Sequence, residues 1–289
     1  MIIEKLECPI KVINISEMGV NANRFISNII KHYDEYIWDY YLLRQNQIEF
    51  LKNYFNEGEV SNKFWKSFYL NELSKLEIEN VVNKLSQKVK DQYLAIKKTR
   101  KRLVSEFELI FDNEWSVKRM PSSDFSQDLA LISENKTEDY RLIKRKFKEM
   151  PDFLDCYDMR LLLKGIAEEI RFENKKIKAL RIIVHHTKVF CYPNQIATNS
   201  PEGIHQDGMD YIVSALVVER QNIIGGKSII YGNDKKTEVL QTLLQSGQGI
   251  LQPDRNSDLW HEVTAIECAD NSKFGYRSTI GFDVEVIEK

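Results

Sequence analysis

Residues 201–219 read PEGIHQDGMDYIVSALVVE, a polar turn followed by an apolar run. Pro, Glu and Gly at its start are typical of a turn, and the β-branched residues that follow predict a strand over residues 210–219. His205 and Asp207 stand between the turn and that strand. Side chains two residues apart in an extended chain project from the same face, so these two side chains can reach one cavity.

Similar strand-forming segments surround this stretch, separated by Gly, Asn, Asp or Pro. They lie at residues 179–192, 227–232, 247–253, 261–267 and 276–287. Nine of the 12 glycines lie from Gly203 onward, which is typical of turns between strands. Many short strands without intervening helices predict an antiparallel sandwich or barrel of jelly-roll type.

The first part of the chain has a different pattern of apolar residues. Residues 73–110 carry apolar side chains at spacings of three and four, which predict one long helix. Residues 34–55 predict another helix with Asp34 as its N-cap, and two more are expected near residues 138–149 and 155–172. We therefore predict an α+β fold, with a helical N-terminal region over residues 1–112 and a jelly-roll or cupin-like domain with flanking helices over residues 113–289.

The bulk composition excludes several classes of partner. Lys and Arg number 41 and Asp and Glu number 43, so no net field attracts nucleic acid or an anionic membrane. The basic run KKTRKR at residues 97–102 is expected to be a solvated face of the long helix. No apolar stretch reaches the length of a membrane span and the start lacks a secretory signal, so we expect a cytoplasmic protein. The cysteines, Cys8, Cys156, Cys191 and Cys268, are scattered without a CxxC motif, which favours reduced thiols.

A metal site needs a third ligand beside His205 and Asp207. His32 precedes the first predicted helix, and the adjacent histidines at 185–186 face opposite sides of their strand. His261 opens a later strand, which a jelly roll can bring beside the earlier one. Two histidines and one carboxylate bind one face of Fe(II) and leave positions open for substrate and oxygen.

Two aspartates, Asp207 and Asp210, lie close to His205 in the sequence. Asp210 is five residues from His205 and would face the other way in a continuous strand, so Asp207 is the better carboxylate candidate. Fe(II) with two neutral imidazoles and one carboxylate keeps one positive charge and invites an anionic cosubstrate. Arg277, in FGYRSTIGFD, is placed to bind the far carboxylate of that cosubstrate; the alternative is a surface arginine paired with an acid.

Taken together, these segments resemble the iron(II)- and 2-oxoglutarate-dependent dioxygenases, and within them the branch of bacterial hydroxylases of free amino acids such as isoleucine 4-hydroxylase. The resemblance covers about residues 114–289. The motifs that carry it are PEGIHQDG, GGKSIIYG, the Asp254-Arg255 pair ahead of WHEVTAI, and GYRSTIGFD.

The resemblance implies a double-stranded β-helix core and a catalytic iron bound by His205, Asp207 and His261. It implies 2-oxoglutarate bound to the metal and anchored by Arg277, with Ser278 and Thr279 assisting. O2 is the second cosubstrate. The implied reaction hydroxylates an unactivated C–H bond of a free L-amino acid, with succinate and CO2 as co-products. We expect a small-molecule substrate, no nucleic acid or membrane partner, and a homo-oligomer formed through the N-terminal helices.

Two features depart from the family pattern. Lys227 follows the double glycine where an acidic residue is expected, and NSDLW at residues 256–260 lengthens the approach to His261. Neither removes a ligand. Two other functions stay open: hydroxylation of a peptide-bound or carrier-bound residue, and a non-catalytic jelly-roll interaction protein with a structural metal. A free amino acid would need a buried arginine and a buried acid in its pocket, and the sequence alone does not assign them.

Overall fold

The computed structural model describes residues 10–121, 140, 143–198 and 203–288. The helices of this part are α1 (Ala22–Lys31), α2 (Tyr40–Lys52), α3 (Asn62–Tyr69), α4 (Lys75–Val82), α5 (Gln87–Leu94) and α6 (Tyr157–Glu173). The strands are β1 (Lys11–Asn14), β2 (Ile37–Trp38), β3 (Arg100–Asp112), β4 (Glu114–Met120), β5 (Ala179–Cys191), β6 (Tyr211–Gln221), β7 (Ile223–Gly225), β8 (Ser228–Tyr231), β9 (Glu238–Thr242), β10 (Gln248–Pro253), β11 (Trp260–Val263), β12 (Ile266–Cys268) and β13 (Gly275–Glu288). No helix among the described residues is both long and apolar enough to cross a membrane.

One large antiparallel sheet dominates the fold. Its strand order is β1-β10-β6-β13-β5-β3-β2, and β4 pairs with β3 as a hairpin. A second sheet has the order β11-β8-β9, and β12 pairs with β7. The fold is thus a mixture of helices and antiparallel sheet. The predicted strands from residue 179 onward are all confirmed, with 261–267 divided into β11 and β12.

The main sheet is covered on both faces, and β13 shows how its sequence allows this. Ile280, Phe282 and Val284 project to one face, which we call the helix face, where α1 and α6 pack. Helix α6 supplies apolar side chains at helical spacing, namely Met159, Leu162, Leu163, Ile166, Ala167 and Ile170. Each fully buried Leu, Ile or Met side chain of this set stabilises the fold by about 1.5–3 kcal/mol.

The opposite face of the main sheet, which we call the inner face, packs against the second sheet. Val217 of β6 and Ile250 of β10 contact Ile230 of β8 and Val263 of β11 in one buried cluster. Along β13 the inner face carries Arg277, Thr279, Gly281 and Asp283, because side chains alternate along a strand. Polar groups on a buried sheet face are costly unless they have partners or a function. The space between the two sheets is therefore where a site is expected.

The helices α2 to α5 form a smaller cluster of their own. Its buried residues include Ile48 and Leu51 of α2, Trp65 and Phe68 of α3, and Tyr93 of α5. The helical character predicted for the N-terminal part is confirmed for these segments. Strands β1, β2 and β3, which also lie within residues 1–112, belong instead to the main sheet.

The predicted single helix over residues 73–110 is wrong. Two short helices, α4 and α5, occupy its first half, and β3 occupies residues 100–112. Leu103, Phe107 and Leu109 lie on the helix face of the sheet. Their spacings of four and two fit the two-residue period of a strand, and a spacing of four also fits a helix. The run KKTRKR therefore leads into β3, and the hairpin between β3 and β4 crosses the predicted boundary at residues 112 and 113.

Two further helix predictions need correction. Helix α2 begins at Tyr40 and its N-cap is Asp39, whose carboxylate accepts a hydrogen bond from Leu42 N at 3.2 Å. The predicted cap, Asp34, lies in a short 3-10 turn before it. The described residues among 138–149 form no α-helix, whereas the helix predicted near 155–172 is confirmed as α6.

Asp39 joins the N-terminal helices to the main sheet. Its buried carboxylate accepts a hydrogen bond from Arg100 Nε of β3 at 2.9 Å and forms an ion pair with Arg100 Nη2 at 2.8 Å. Burial acts to raise the pKa of Asp39, but Arg100 and Arg102 outweigh burial and hold that pKa below its usual range. The ion pair therefore stabilises the fold above the pKa of about 3.9 that Asp has in the unfolded chain, and this contribution is lost as the pH falls through the lower folded-state pKa.

We expect Asp39→Asn to lower the free energy of unfolding by about 3 kcal/mol at pH 7, because the buried ion pair with Arg100 is lost while the helix cap is retained. The measurement is urea unfolding at a series of pH values. The difference from the wild type should shrink below about pH 4, where Asp39 of the unfolded chain begins to be protonated while the folded carboxylate stays ionised. Asp91→Asn, at an exposed position on α5, is the control. A loss that is the same at pH 7 and pH 3 would contradict the assignment.

Candidate metal centre

His205 and His261 are brought together by a short antiparallel bridge between their backbones. His205 N donates to His261 O, and His261 N donates to His205 O, both at 3.0 Å. Residues that exchange two hydrogen bonds in this way are directly opposite each other, so their side chains lie on the same side. The centroids of the two imidazole rings are 4.3 Å apart.

Asp207 completes a cluster with these two histidines. Its Oδ1 lies 3.6 Å from His205 Nε2 and its Oδ2 lies 3.3 Å from His261 Nε2. One nitrogen of each imidazole and one carboxylate oxygen all lie within 4.8 Å of one another. Burial acts to raise the pKa of Asp207, but the two imidazoles outweigh it and hold that pKa well below its usual range. The carboxylate is therefore ionised, as a metal ligand must be.

The hydrogen bond on the far side of His205 sets its tautomer. His205 Nδ1 lies 2.8 Å from the backbone carbonyl of Gly203, so Nδ1–H donates and Nε2 is left with a lone pair directed at the cluster. With bonds of about 2.0–2.2 Å to a shared ion, neighbouring ligand atoms lie about 3 Å apart. The observed separations of 3.3 and 3.6 Å are close to that spacing. The donor set and its spacing fit a divalent transition metal.

The loop that carries Asp207 is held by Asp254, which follows β10 and is fully buried. The Asp254 carboxylate accepts backbone N–H groups from Asp207 at 3.2 Å, Gly208 at 2.6 Å and Met209 at 3.0 Å. Its Oδ1 also lies 3.9 Å from His261 Nδ1. Asp254 thus holds the Asp207 loop by hydrogen bonds and places a carboxylate near His261, without being a ligand itself.

We expect Asp254→Asn to weaken Fe(II) binding about 10- to 100-fold, the usual effect of losing a group that orients metal ligands. An amide oxygen accepts hydrogen bonds less strongly than a carboxylate and carries no charge to polarise His261. Anaerobic equilibrium dialysis against Fe(II) measures the effect. Asp258→Asn, an exposed change in the same loop, should leave Fe(II) affinity within about two-fold, the scale of an ordinary surface change. Unchanged affinity in Asp254→Asn would contradict the assigned role.

Arg277 lies on the inner face of β13 and is only 3% exposed. Its Nε and Nη2 find no hydrogen-bond partner among the described residues. Burial, and then the neighbouring Arg220, lower the pKa of Arg277 to about 9. A small cavity opens in front of it, lined by Val189, Ala197, Val263, Thr264, Ile266, Arg277 and Thr279. Because an unpaired buried guanidinium is costly, Arg277 favours an anionic partner such as the carboxylate of a ligand.

The neighbours of Arg277 on β13 differ in their placement. Thr279 lines the same cavity, two residues along the strand. Ser278 projects to the helix face with Ile280, because adjacent residues of a strand face opposite sides. Its assistance to the cosubstrate stays a prediction, and this placement does not support it. The double glycine passes close to the arginine: a Cβ on Gly226 would lie 3.1 Å from Arg277 Cδ. The departure at Lys227 is harmless to the cavity, since Lys227 is exposed.

A second polar group on the inner face was not predicted. His185 of β5 lies 2.8 Å from Asp283 Oδ2 through Nε2 and 2.8 Å from Arg102 Nη2 through Nδ1. His186 faces the opposite side, as predicted, and contacts Tyr36. In the sequence, the group formed by His185, Arg102 and Asp283 is indicated only by polar residues inside apolar strands.

Comparison with known proteins supports this interpretation of the site. The family model described as 2OG-Fe dioxygenase matches residues 82–283. No curated protein sequence matches the chain significantly. Among solved structures, a BsmA homologue from Methylobium petroleophilum PM1 aligns with a TM-score of 0.56 and 18% identity, over 66% of this chain and 73% of that one. IDO from Bacillus thuringiensis aligns with a TM-score of 0.52 and 16% identity, over 84% of this chain and 100% of that one.

The structural neighbours show a shared fold, and the family model spans well over half of the residues, including the bridge of His205 and His261 and the strand of Arg277. The cofactors of this family are Fe(II), 2-oxoglutarate and O2, and the donor set of His205, Asp207 and His261 fits the iron. The chain belongs to the 2OG-Fe dioxygenase family.

Proposed function

We propose that this enzyme hydroxylates an unactivated C–H bond of a free L-amino acid, with His205, Asp207 and His261 as iron ligands. The observation that carries the proposal is the cluster of three ligand atoms in the same inter-sheet space as a cavity that ends at the unpaired guanidinium of Arg277. A metal ion would bind the three ligand atoms, and a dicarboxylate cosubstrate would pair with the Arg277 guanidinium.

We also propose that the two sheets form a double-stranded β-helix. Four strands of the main sheet, in the order β10-β6-β13-β5, face the second sheet across the buried cluster that includes Val217 and Ile230. The bridge between His205 and His261 extends the second sheet by one short strand beside β11. In such a fold the site lies between the sheets, as the candidate ligands do here.

The overall reaction balances as R–H + O2 + 2-oxoglutarate giving R–OH + succinate + CO2. When bound, Fe(II) and 2-oxoglutarate supply the oxidising chemistry that no side chain can provide. Arg277 would bind the distal carboxylate with its planar fork, and Thr279 would donate its hydroxyl to the same group. The apolar residues Val189, Val263 and Ile266 would keep water away from that carboxylate.

The exposure of the cluster shows where a substrate would approach. The Asp207 side chain is 27% exposed, whereas those of His205 and His261 are 9% and 6% exposed. The site is therefore closed behind the imidazoles and accessible beside the carboxylate. The resemblance of PEGIHQDG and GYRSTIGFD to hydroxylases of free amino acids supports the proposed substrate class.

The test is anaerobic reconstitution with Fe(II) and 2-oxoglutarate, followed by exposure to O2 with each of the common L-amino acids. Succinate release coupled to a product heavier by about 16 mass units is the expected result. Peptides that contain the same residues serve as the competing panel. Coupled turnover with peptides and none with free amino acids would contradict the proposal and favour hydroxylation of bound residues.

A further inference from the structure

Two polar side chains lie in one row across the inner face of the main sheet. Gln252 of β10 is paired with Ile212 of β6, and Ile212 is paired with Asp283 of β13. Ile250 lies on the inner face and Leu251 on the helix face, so Gln252 projects to the inner face, as Asp283 does. Strands are spaced about 4.8 Å apart, so the two polar residues lie about 10 Å from each other, with Ile212 between them.

The side chain of Gln252 is completely buried. Neither its amide nitrogen nor its amide oxygen has a hydrogen-bond partner within the part of the chain that the structure describes. A buried amide without partners is costly, because both of its polar atoms have lost their hydrogen bonds to water. A polar ligand between the two sheets would remove that cost by bonding to Gln252.

Asp283 is 8% exposed, and one of its carboxylate oxygens is engaged by a neutral partner. Arg102 donates to His185 Nδ1, so His185 Nε2 carries the proton and donates to Asp283 Oδ2 at 2.8 Å. Burial lowers the pKa of His185 in spite of the nearby carboxylate, so the imidazole is uncharged at neutral pH. Arg102 interacts with the charge of Asp283 from across that ring. No described residue donates to the other oxygen, Oδ1, which can therefore accept a hydrogen bond from a ligand.

Open space lies beside Asp283 on the inner face of β13. The preceding inner-face position is Gly281, where a Cβ would lie 3.8 Å from His185 Cβ and would meet no other described atom within 4 Å outside its chain neighbours. The next inner-face position, Thr279, lines the cavity in front of Arg277. The unfilled step at Gly281 therefore separates the residues assigned to the cosubstrate from Asp283.

The loop of the candidate ligand Asp207 borders the row at both ends. Asp210 of this loop donates its backbone N–H to the carbonyl of the residue after Asp283, at 3.0 Å. Asp254, whose carboxylate holds the loop, follows Gln252 by two residues. A small molecule bound between the two polar side chains would thus lie beside the metal ligands.

We propose that this row binds the amino acid group of the substrate, with Asp283 accepting from its ammonium group and the Gln252 amide donating to its carboxylate. The inference rests on the proposed function and names the part of the substrate that the protein recognises. An ammonium group has three N–H donors, and its attraction to a carboxylate is stronger between the sheets than in water, because the local dielectric is low. A free amino acid carries both groups, whereas a residue inside a peptide carries neither.

The experiment is calorimetric titration of the full chain, loaded anaerobically with Fe(II) and 2-oxoglutarate. The probes are the common L-amino acids, the carboxylic acids that lack only the amino group, and the amino acid amides. We expect at least one amino acid to bind, and its deaminated analogue to bind at least about 30-fold more weakly, as for loss of a partner from a buried charge pair. The amide should bind about 10-fold more weakly, because a hydrogen bond to a charged group is lost.

Two variants test the two residues separately. Asp283→Asn should weaken binding of the amino acid about 30-fold and remove its advantage over the deaminated analogue. Gln252→Leu should weaken binding about 10-fold, yet without ligand it should melt at the wild-type temperature or higher, because two buried polar atoms without partners are removed. Asp112→Asn, an exposed change at the end of β3, is the matched control and should leave the affinity unchanged.

Circular dichroism with thermal melting shows whether the variants are folded. Equal binding of the amino acid and its deaminated analogue, full affinity in folded Asp283→Asn, or strong destabilisation of ligand-free Gln252→Leu would overturn the inference. No binding of any amino acid would overturn it together with the proposed function. Binding that depends on Asp283, with no hydroxylation in air, would reject the proposed function alone. Hydroxylation of a free amino acid by Asp283→Asn with wild-type rate and KM would reject this inference alone.

Discussion

Replacing His205 by alanine is expected to abolish succinate formation and product hydroxylation, a loss of at least about 1,000-fold, with the fold retained. The imidazole Nε2 points into the cluster with Asp207 and His261, and its tautomer is set by the carbonyl of Gly203. Without it two ligands remain on that face, so the metal is bound weakly and its catalytic contribution of several kcal/mol is lost.

The matched control for this change is His32→Ala. His32 ends α1, and its ring contacts that of Phe153, with centroids 3.9 Å apart and planes tilted by 34°. It is not one of the three candidate ligands. Its removal should leave turnover within about two-fold, as for an ordinary surface change. Both variants are to be compared for bound iron and for thermal unfolding. Wild-type turnover in a folded His205→Ala sample would show that His205 is not a ligand.

Replacing Arg277 by methionine is expected to produce two opposite effects. The apparent KM for 2-oxoglutarate should rise at least about 30-fold, because a bidentate charge-assisted pair is lost. Without cosubstrate the variant should unfold at the same temperature as the wild type or higher, because two buried nitrogens of Arg277 lack hydrogen-bond partners among the described residues. Replacing such a buried charge by an apolar group of similar size is often neutral or stabilising.

The stability measurement separates this role from a structural one. At a 2-oxoglutarate concentration of 100 times the wild-type Kd, the wild type should gain about 2.7 kcal/mol of stability, and Arg277→Met should gain about 0.9 kcal/mol or less. Arg277→Lys, which keeps the charge but not the planar fork, should be intermediate. A variant that is strongly destabilised without cosubstrate, or one that is stabilised by it as much as the wild type, would contradict the assignment.

The candidate ligands could be predicted from the sequence because the two-residue period of a strand makes His205 and Asp207 neighbours. Arg277 could be predicted from charge: a positively charged iron site invites an anion, and an anion needs a partner. The same period places Ser278 on the face opposite to Arg277. Its assignment to the cosubstrate came from the family resemblance alone. The contacts of His185 and the role of Asp254 could not be found in this way, because they depend on pairing between distant segments.

The fold was predictable where glycines and polar turns separate short apolar runs, as they do around β6 and β13. Strand β3 was mistaken for a helix because Leu103 and Phe107 are four residues apart, a spacing that both periods allow. What decides in favour of a strand is its pairing with β5 over residues 100–110, which is tertiary information. The same pairing places Arg102 on the inner face, beside His185.

The most direct test of the central claim is anaerobic equilibrium dialysis of the wild type, Asp207→Ala and Arg277→Met against Fe(II) and labelled 2-oxoglutarate. We expect one Fe(II) and one 2-oxoglutarate per chain in the wild type. Asp207→Ala should lose the iron and with it most of the 2-oxoglutarate, whereas Arg277→Met should keep the iron and lose the 2-oxoglutarate. Iron bound by Asp207→Ala with wild-type affinity and stoichiometry would contradict a centre formed by His205, Asp207 and His261.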